Sequence, residues 1–388
     1  MESPIRKDYN PLLTPPPSSV KNHDVSTDVL KEPSVKPKRL INELQKVKKV
    51  SCCAKTKTRC RRSKVKYRPE LDSLFPLDAY LEGSAKNMYK DAEYLISVLT
   101  NSKKIIVVQG AGVSVAAGIP DFRSSDGLFT TLKSTSPQLK SGKDLFDFNN
   151  VYSSNSMSIS FNNLMSQLYH LSSNCKPTSY HKFINNLVEN KQVKRIYTQN
   201  IDGLETKFPS TAMTSKNEND SIIVQLHGSI KHMSCLKCKK VYDMDPSMFK
   251  ISEEAETGEI VPQCPECKEF ESVRSICGKR LQGIGKLKPN VILYNEYHPE
   301  GDIISDIMNK DLKSNPDTLL IVGTSLQIPG VRQMVKQFAA KVRSKKGSVI
   351  WINCEKPSPN IKKLIKGCDL IVLGDCQNIP LLIEKGLH

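Results

Sequence analysis

Short, continuous apolar runs recur along the chain at 104–108, 193–198, 222–226, 291–294, 318–322, 349–352 and 369–373. Such runs suit strands buried on both faces of a parallel sheet. Between them the apolar period changes. Positions 89–100 follow helical spacing, and Val331, Met334, Val335, Phe338, Ala339 and Val342 share one helix face. Strands alternating with helices predict an α/β fold, a Rossmann-like doubly wound parallel sheet. Two stretches break the alternation. Residues 130–176 are polar and helical in pattern, and 231–288 hold cysteines with few strand signals. Both read as insertions that form a smaller second lobe. Residues 1–80 lack the pattern altogether: 11–19 are rich in Pro and Ser, and few large apolar residues precede Leu71. A disordered basic tail is expected there, with the catalytic domain over 81–388.

Charge sharpens that division. The formal net charge is +17, and between Lys31 and Arg68 stand 15 basic residues against 2 acidic ones, a local +13. An anionic partner such as nucleic acid or chromatin is implied, and the signal belongs to the tail. Lys36-Pro37-Lys38-Arg39 and residues 59–66 read as nuclear-import signals or DNA-contacting patches, with a solvated charge run as the plain alternative. Only Cys52, Cys53 and Cys60 lie near the second patch, too few ligands for a binuclear zinc cluster. The first 20 residues carry no apolar core for a secretory signal. No apolar run approaches the roughly 20 residues needed to cross a bilayer. A soluble, intracellular protein with no membrane partner is expected.

In a reducing compartment the 12 cysteines read as thiols or metal ligands. Cys235-x-x-Cys238 and Cys264-x-x-Cys267 give two thiolate hooks in one insertion, the pattern of a zinc-ribbon module holding one tetrahedral structural ion. Four protein ligands leave no position for water, so no chemistry is expected at the metal. Cys175, Cys277 and Cys368 read as incidental thiols.

Candidate chemistry lies where strands end. Gly110-Ala111-Gly112-Val113-Ser114 follows the first strong strand and is expected to open a helix. Glycines there let backbone N–H groups approach a pyrophosphate, although a tight strand-to-helix turn explains the same residues. The third glycine of the common dinucleotide fingerprint would fall at Val115, so an ordinary dehydrogenase is disfavoured. Instead Ile119-Pro120-Asp121-Phe122-Arg123-Ser124 places a carboxylate, an aromatic ring and a guanidinium beside the turn. Arg123 can pair with phosphate, and Phe122 can cover a nicotinamide. Gln199, Asn200 and Asp202 follow one strand and His227 follows another; strand ends of this kind line the ligand crevice of a doubly wound sheet.

The string 110–124 resembles the first signature of the sirtuin family of NAD-dependent protein deacetylases. Later signatures follow in family order: Thr198-Gln199-Asn200-Ile201-Asp202-Gly203-Leu204-Glu205, Leu226-His227-Gly228-Ser229, the two cysteine pairs, Gly323-Thr324-Ser325-Leu326, Ile352-Asn353-Cys354-Glu355 and Gly374-Asp375-Cys376. The resemblance spans about residues 85–380 and is to the fungal nuclear, histone-directed branch.

The resemblance implies NAD as co-substrate and Zn2+ as a structural ion. It implies that Gly110, Ala111, Gly112, Ser114, Ile119, Pro120, Asp121, Phe122, Arg123 and Gln199 meet the cofactor. Asn200, Ile201 and Asp202 would border its nicotinamide, and His227 would be the general base. Gly323, Thr324 and Ser325 would approach a ribose or phosphate, Asn353 would hydrogen-bond the adenosine ribose, Cys354 and Glu355 would also meet the cofactor, and Cys376 would border the adenine through its backbone. Val291, Ile292, Tyr294 and Asn295 resemble the strand that clamps acetyl-lysine. Family members mostly carry glycine where this chain has Asn295 and commonly Phe where it has Tyr294; asparagine tolerates a left-handed backbone better than most residues. The Tyr-x-x-Arg pair of members preferring acidic acyl groups is absent, which favours plain acetyl.

The expected activity is NAD-dependent deacetylation of acetylated histones or other acetylated nuclear proteins, releasing nicotinamide and acetylated ADP-ribose. A role in chromatin silencing and genome maintenance is implied. Mono-ADP-ribosyl transfer and a catalytically weak chromatin adaptor with NAD as a structural ligand are the competing expectations. The intact Asn200, Asp202 and His227 argue against the adaptor.

Overall fold

The computed structural model describes residues 67–121, 128, 142–211, 221–249 and 261–386, all within one compact unit, Lys64–His388. The strands among them, in chain order, are β1 (Leu74–Pro76), β2 (Ile105–Gln109), β3 (Val193–Thr198), β4 (Ile223–Gln225), β5 (Gly228–Cys235), β6 (Val241–Asp243), β7 (Leu287–Val291), β8 (Thr318–Val322), β9 (Ser348–Asn353) and β10 (Leu370–Leu373). Seven of them form one sheet in the order β1-β10-β9-β8-β2-β3-β4, and every neighbouring pair in it is parallel.

Period-2 alternation explains why these runs are apolar throughout. Ile105, Val107, Leu320, Val322, Ile350 and Ile352 face one core, closed by the helices Tyr89–Asn101, Ser179–Glu189 and Ile379–Gly386. Ile106, Val108, Leu319, Ile321, Val349 and Trp351 face the other, closed by Gly301–Lys313, Pro329–Ser344 and Pro359–Ile365. Each such side chain contributes about 1.5–3 kcal/mol when fully buried. Strand order reverses at β2: β3 and β4 lie on one side of it, β8 to β10 on the other. The crevice for a ligand opens at that reversal, beyond the carboxyl ends of β2, β3 and β8. One buried ion pair ties a helix to this sheet. Asp311 of Gly301–Lys313 accepts from Arg195 Nε at 2.8 Å, from Arg195 Nη2 at 3.1 Å and from Tyr197 Oη at 2.7 Å.

The smaller lobe joins two chain segments. Ser154 caps the helix Asn155–Asn174 through its hydroxyl, and Tyr169 of that helix packs against the small core that holds Met233, Phe249 and Leu287. β5 pairs antiparallel with β6 and β7 in a separate sheet. Residues 130–141 and 250–260 of the expected insertions lie outside the described residues.

Three expectations change. Residues 67–80, assigned to the tail, belong to the fold. β1 pairs with β10, Phe75 and Leu77 are fully buried, and Arg68 meets Asp369 at 2.7 Å. A three-residue edge strand is too short to carry a period, which is why the pattern hid it. The expected tail over 1–66 lies outside the described residues. The apolar run 291–294 is not a strand of the parallel sheet: β7 stops at Val291 and belongs to the small antiparallel sheet. Val291 and Leu293 are buried outside the parallel sheet, and that leaves the same sequence trace. Lastly, the glycine turn after β2 opens no α-helix. Two 3-10 turns, Ala111–Val113 and Val115–Ala117, follow it and end at Gly118 with φ 84°. Among the described residues no helix is long and apolar enough to cross a membrane.

Candidate active site

The turns after β2 and β8 interlock through their glycines. Gly112 N–H donates to Gly323 O at 3.0 Å. A Cβ on Gly112 would come within 2.9 Å of Gly323 Cα, and one on Gly110 within 2.8 Å of Thr324 Cβ. Gly323 itself has φ 58°, a conformation favouring glycine. These glycines therefore serve backbone-on-backbone packing at the mouth of the crevice. Gln199 spans the same junction, donating to Thr324 Oγ1 at 2.9 Å, and Asn353 Nδ2 donates to Thr324 O at 3.2 Å.

A cavity of about 1190 Å³ runs from these turns to the smaller lobe. Gly110, Ala111, Gly112, Asp121, Gln199, Asn200, Ile201, His227, Gly323, Thr324, Ser325, Asn353, Cys354 and Glu355 line it, with Val291, Ile292, Tyr294 and Asn295 on the opposite wall. Ser114, Ile119, Pro120 and Asp202 instead line a small side pocket that Asn200, Ile201 and Ala111 share with the main cavity. Cys376, expected to border the adenine through its backbone, has its side chain buried in the core with Ile379, while the preceding residue Asp375 lines the main cavity. Phe122 and Arg123 lie outside the described residues.

His227 follows β4. Its Nε2 is buried without a hydrogen-bond partner among the described residues, and burial pushes its pKa down to about 4. The imidazole is neutral at pH 7 and has a nitrogen available. Asn200 is buried too; its Nδ2 donates to Ser114 Oγ at 3.2 Å, while its Oδ1 has no partner among the described residues. Asp202 accepts from Leu204 N–H at 2.9 Å, and burial, followed by the charge of Glu205, pushes its pKa up to about 6. An orphaned carbonyl and a buried carboxyl in one side pocket suit a ligand carrying an amide.

The opposite wall is pinned to the base. Ile292 N–H donates to His227 O at 3.0 Å, and Tyr294 exchanges backbone bonds with Phe146 O and Phe148 N–H. Asn295 sits at φ 61° and donates through Nδ2 to Asp147 Oδ2 at 2.6 Å, so an asparagine there keeps a backbone conformation usually left to glycine. Sequence reasoning missed the supports of this wall. Lys288 forms a buried pair with Glu296, whose Oε2 accepts from Leu293 N–H at 2.9 Å. His298 Nε2 meets Leu226 O at 3.0 Å. The Lys288–Glu296 spacing across a strand end was the available signal.

Cys235, Cys238, Cys264 and Cys267 bring their Sγ atoms within 4.8 Å of one another. Cys235–Cys267 stand at 3.8 Å and Cys238–Cys264 at 3.7 Å. Tetrahedral zinc with Zn–S of about 2.3 Å sets its sulfurs about 3.8 Å apart, so this donor set fits one structural ion. Gly285 is required beside it, since a Cβ there would meet both Cys235 Sγ and Cys267 Sγ. The cluster stands apart from His227, which lines the main cavity.

A doubly wound sheet with a cavity at its reversal point, interlocked glycine turns and a four-cysteine module defines a nucleotide-binding α/β protein with a structural-metal lobe. The Sir2 family profile matches residues 110–330. The NAD-dependent histone deacetylase HST4 of Saccharomyces cerevisiae is 46% identical over 96% of this chain and 98% of its own length. The NAD-dependent protein deacetylase hst4 of Schizosaccharomyces pombe is 37% identical over 83% and 75% respectively. A solved Sir2 homologue in complex with 2'-O-acetyl ADP ribose has the same fold, with TM-score 0.54 and 22% identity over 76% of this chain and 97% of that one. The chain belongs to the Sir2 family.

Proposed function

We propose that this protein is an NAD-dependent protein-lysine deacetylase acting on acetylated histones in the nucleus. One observation carries the chemistry: His227, its Nε2 unpartnered among the described residues, lines one cavity with the interlocked glycine turns and with the wall hydrogen-bonded to its own carbonyl. When bound, NAD would supply the ribose carbon that loses nicotinamide to attack by the acetyl oxygen, and the ribose hydroxyl that then takes the acetyl group. Asn200 Oδ1 and Asp202 hold the carboxamide in the side pocket. The turns at Gly110–Gly112 and Gly323–Ser325 leave room for the phosphates and ribose, and Asn353 to Glu355 border the adenosine. Val291, Ile292, Tyr294 and Asn295 carry the acetyl-lysine backbone, which points the acyl group toward His227. His227 Nε2 takes the ribose hydroxyl proton, a role open to a neutral imidazole and typically worth ~10²–10⁴-fold in rate.

Histone substrates are supported by the name of the relative matched over 98% of its length. Nuclear action is supported by the +13 charge over residues 31–68, and chromatin association through the same segment follows from counterion release on binding an anion. The test is incubation with acetylated nucleosomes, with and without NAD, read by mass at each lysine and in the small-molecule product. Acetylated ADP-ribose formed only with NAD is expected. ADP-ribose left on the protein instead would replace this reading with transferase activity.

A further inference from the structure

Behind the Asn200–Asp202 turn lies a second buried carboxyl. Glu205 is 4% exposed, against 5% for Asp202 three residues earlier. Glu205 Oε1 accepts from Thr198 Oγ1 at 2.8 Å and from Gln109 Nε2; Oε2 is buried without a partner among the described residues. Thr198 Oγ1 in turn accepts the Asn200 backbone N–H at 3.2 Å. The chain Glu205–Thr198–Asn200 therefore runs from the sheet to the turn that borders the side pocket.

We propose that Glu205 is a positioning residue, which fixes the Asn200 turn through Thr198 and, as a second buried carboxyl behind that turn, competes with Asp202 for negative charge. The inference rests on the proposed role of Asp202 in holding the cofactor.

The surroundings explain the competition. The Lys231 ammonium of β5 interacts with both carboxyls, and its Nζ is already given to Gly203 O at 3.0 Å and Thr206 Oγ1 at 2.9 Å. Lys207, whose charge weighs on Lys231 and Cys175, is occupied by the carbonyls of Ser172, Ser173 and Cys175. From the helix Ser179–Glu189 come His181, neutral with its pKa pushed down to about 4 by burial, and Tyr180, whose hydroxyl goes to Gln109 Oε1. The Cys175 thiol donates to Ala117 O and is held protonated by burial. Cys376 on the far side of Tyr180 is likewise protonated. Two ionised carboxylates in such a pocket repel each other, so one of them keeps its proton to higher pH. Thr198 and Gln109 favour the charge on Glu205 as the Leu204 N–H and Ser114 favour it on Asp202, and the charge of Glu205 raises the pKa of Asp202.

The experiment compares Glu205→Gln and Glu205→Ala with the unaltered full-length protein, reading kcat and KM for NAD in nicotinamide release across pH. Glu205→Gln keeps the acceptor for Thr198 and removes the competing charge. Near-normal activity at pH 8, with the acid limb of kcat/KM displaced to lower pH, is expected. Glu205→Ala removes the acceptor and should raise KM for NAD roughly tenfold, the cost of one orphaned buried donor. An unmoved acid limb in Glu205→Gln, or an Ala variant with ordinary KM, overturns the proposal. Asp202→Asn, run alongside, separates the two readings. If that variant releases nicotinamide normally, the assignment of Asp202 fails first, whatever Glu205 does.

Discussion

Single residues decide the chemistry, and they were legible in unequal degree. His227, Asn200 and Asp202 stand directly after strands, and a strand-end position in a doubly wound sheet already points into the crevice. Their electrical state was not legible, because burial depends on what packs around them. Burial holds His227 near 4 and Asp202 near 6, which fixes a pH dependence. Asp202, with a raised pKa, carries its charge above about 6 and loses it below; His227 stays neutral until about 4. Activity should therefore fall as pH drops through about 6, before His227 takes a proton. A kcat/KM profile for NAD flat from pH 8 to 5 would remove Asp202 from its role. His227→Ala should lower deacetylation by ~10²–10⁴-fold while NAD still binds by calorimetry, since the lost group is a proton acceptor. Activity within a few-fold of normal would remove His227 from that role. Asn295 was legible as a departure. Its φ of 61° explains why asparagine suffices; the Asp147 partner, nearly 150 positions away, left no trace in sequence.

At the level of elements, continuous apolar runs identified β2, β3, β8, β9 and β10, because a strand covered on both faces has no polar side to confuse its period. The same criterion misplaced 291–294. Burial outside the parallel sheet and burial within it leave one signature, and only pairing distinguishes them. The glycine turn was misjudged for a related reason. Its glycines answer to the turn after β8, 213 positions later for Gly110 and Gly323, where a Cβ on Gly112 would come within 2.9 Å of backbone. Gly112→Ala should thus weaken NAD binding and also lower thermal stability by about 1–3 kcal/mol, the usual cost of overpacking; an unchanged melting temperature would show that the turns are not interlocked. The cysteine module was the most legible element, since paired hooks need no tertiary information. Cys235→Ser or Cys264→Ser should lower zinc content and stability together, because metal binding and folding are coupled. Metal-reconstituted protein without NAD should be silent; turnover there would mean the metal does chemistry.

For the whole molecule, the decisive boundary lies between the basic segment and the fold, and it falls earlier in the chain than composition suggests. Low apolar content extends to Leu71, yet Arg68 already reaches Asp369 and Tyr67 donates to Asp91 at 2.7 Å. β1 then closes one edge of the sheet against β10. Removing residues 1–66 should leave that edge intact, so the shortened protein should deacetylate a short peptide normally while failing to concentrate in nuclei. Removing residues 1–81 deletes Phe75 and Leu77 as well. Truncating a buried Phe or Leu alone costs roughly 2–5 kcal/mol, a large part of the 5–15 kcal/mol of an ordinary domain, and the bare edge of β10 becomes a template for association. The longer deletion should therefore melt well below the shorter one and aggregate. Thermal unfolding and light scattering on both proteins decide it, with fluorescence microscopy of the tagged shorter form for location. Equal melting temperatures would return residues 67–81 to the tail. Nuclear accumulation without residues 1–66 would end the import role of the basic segment.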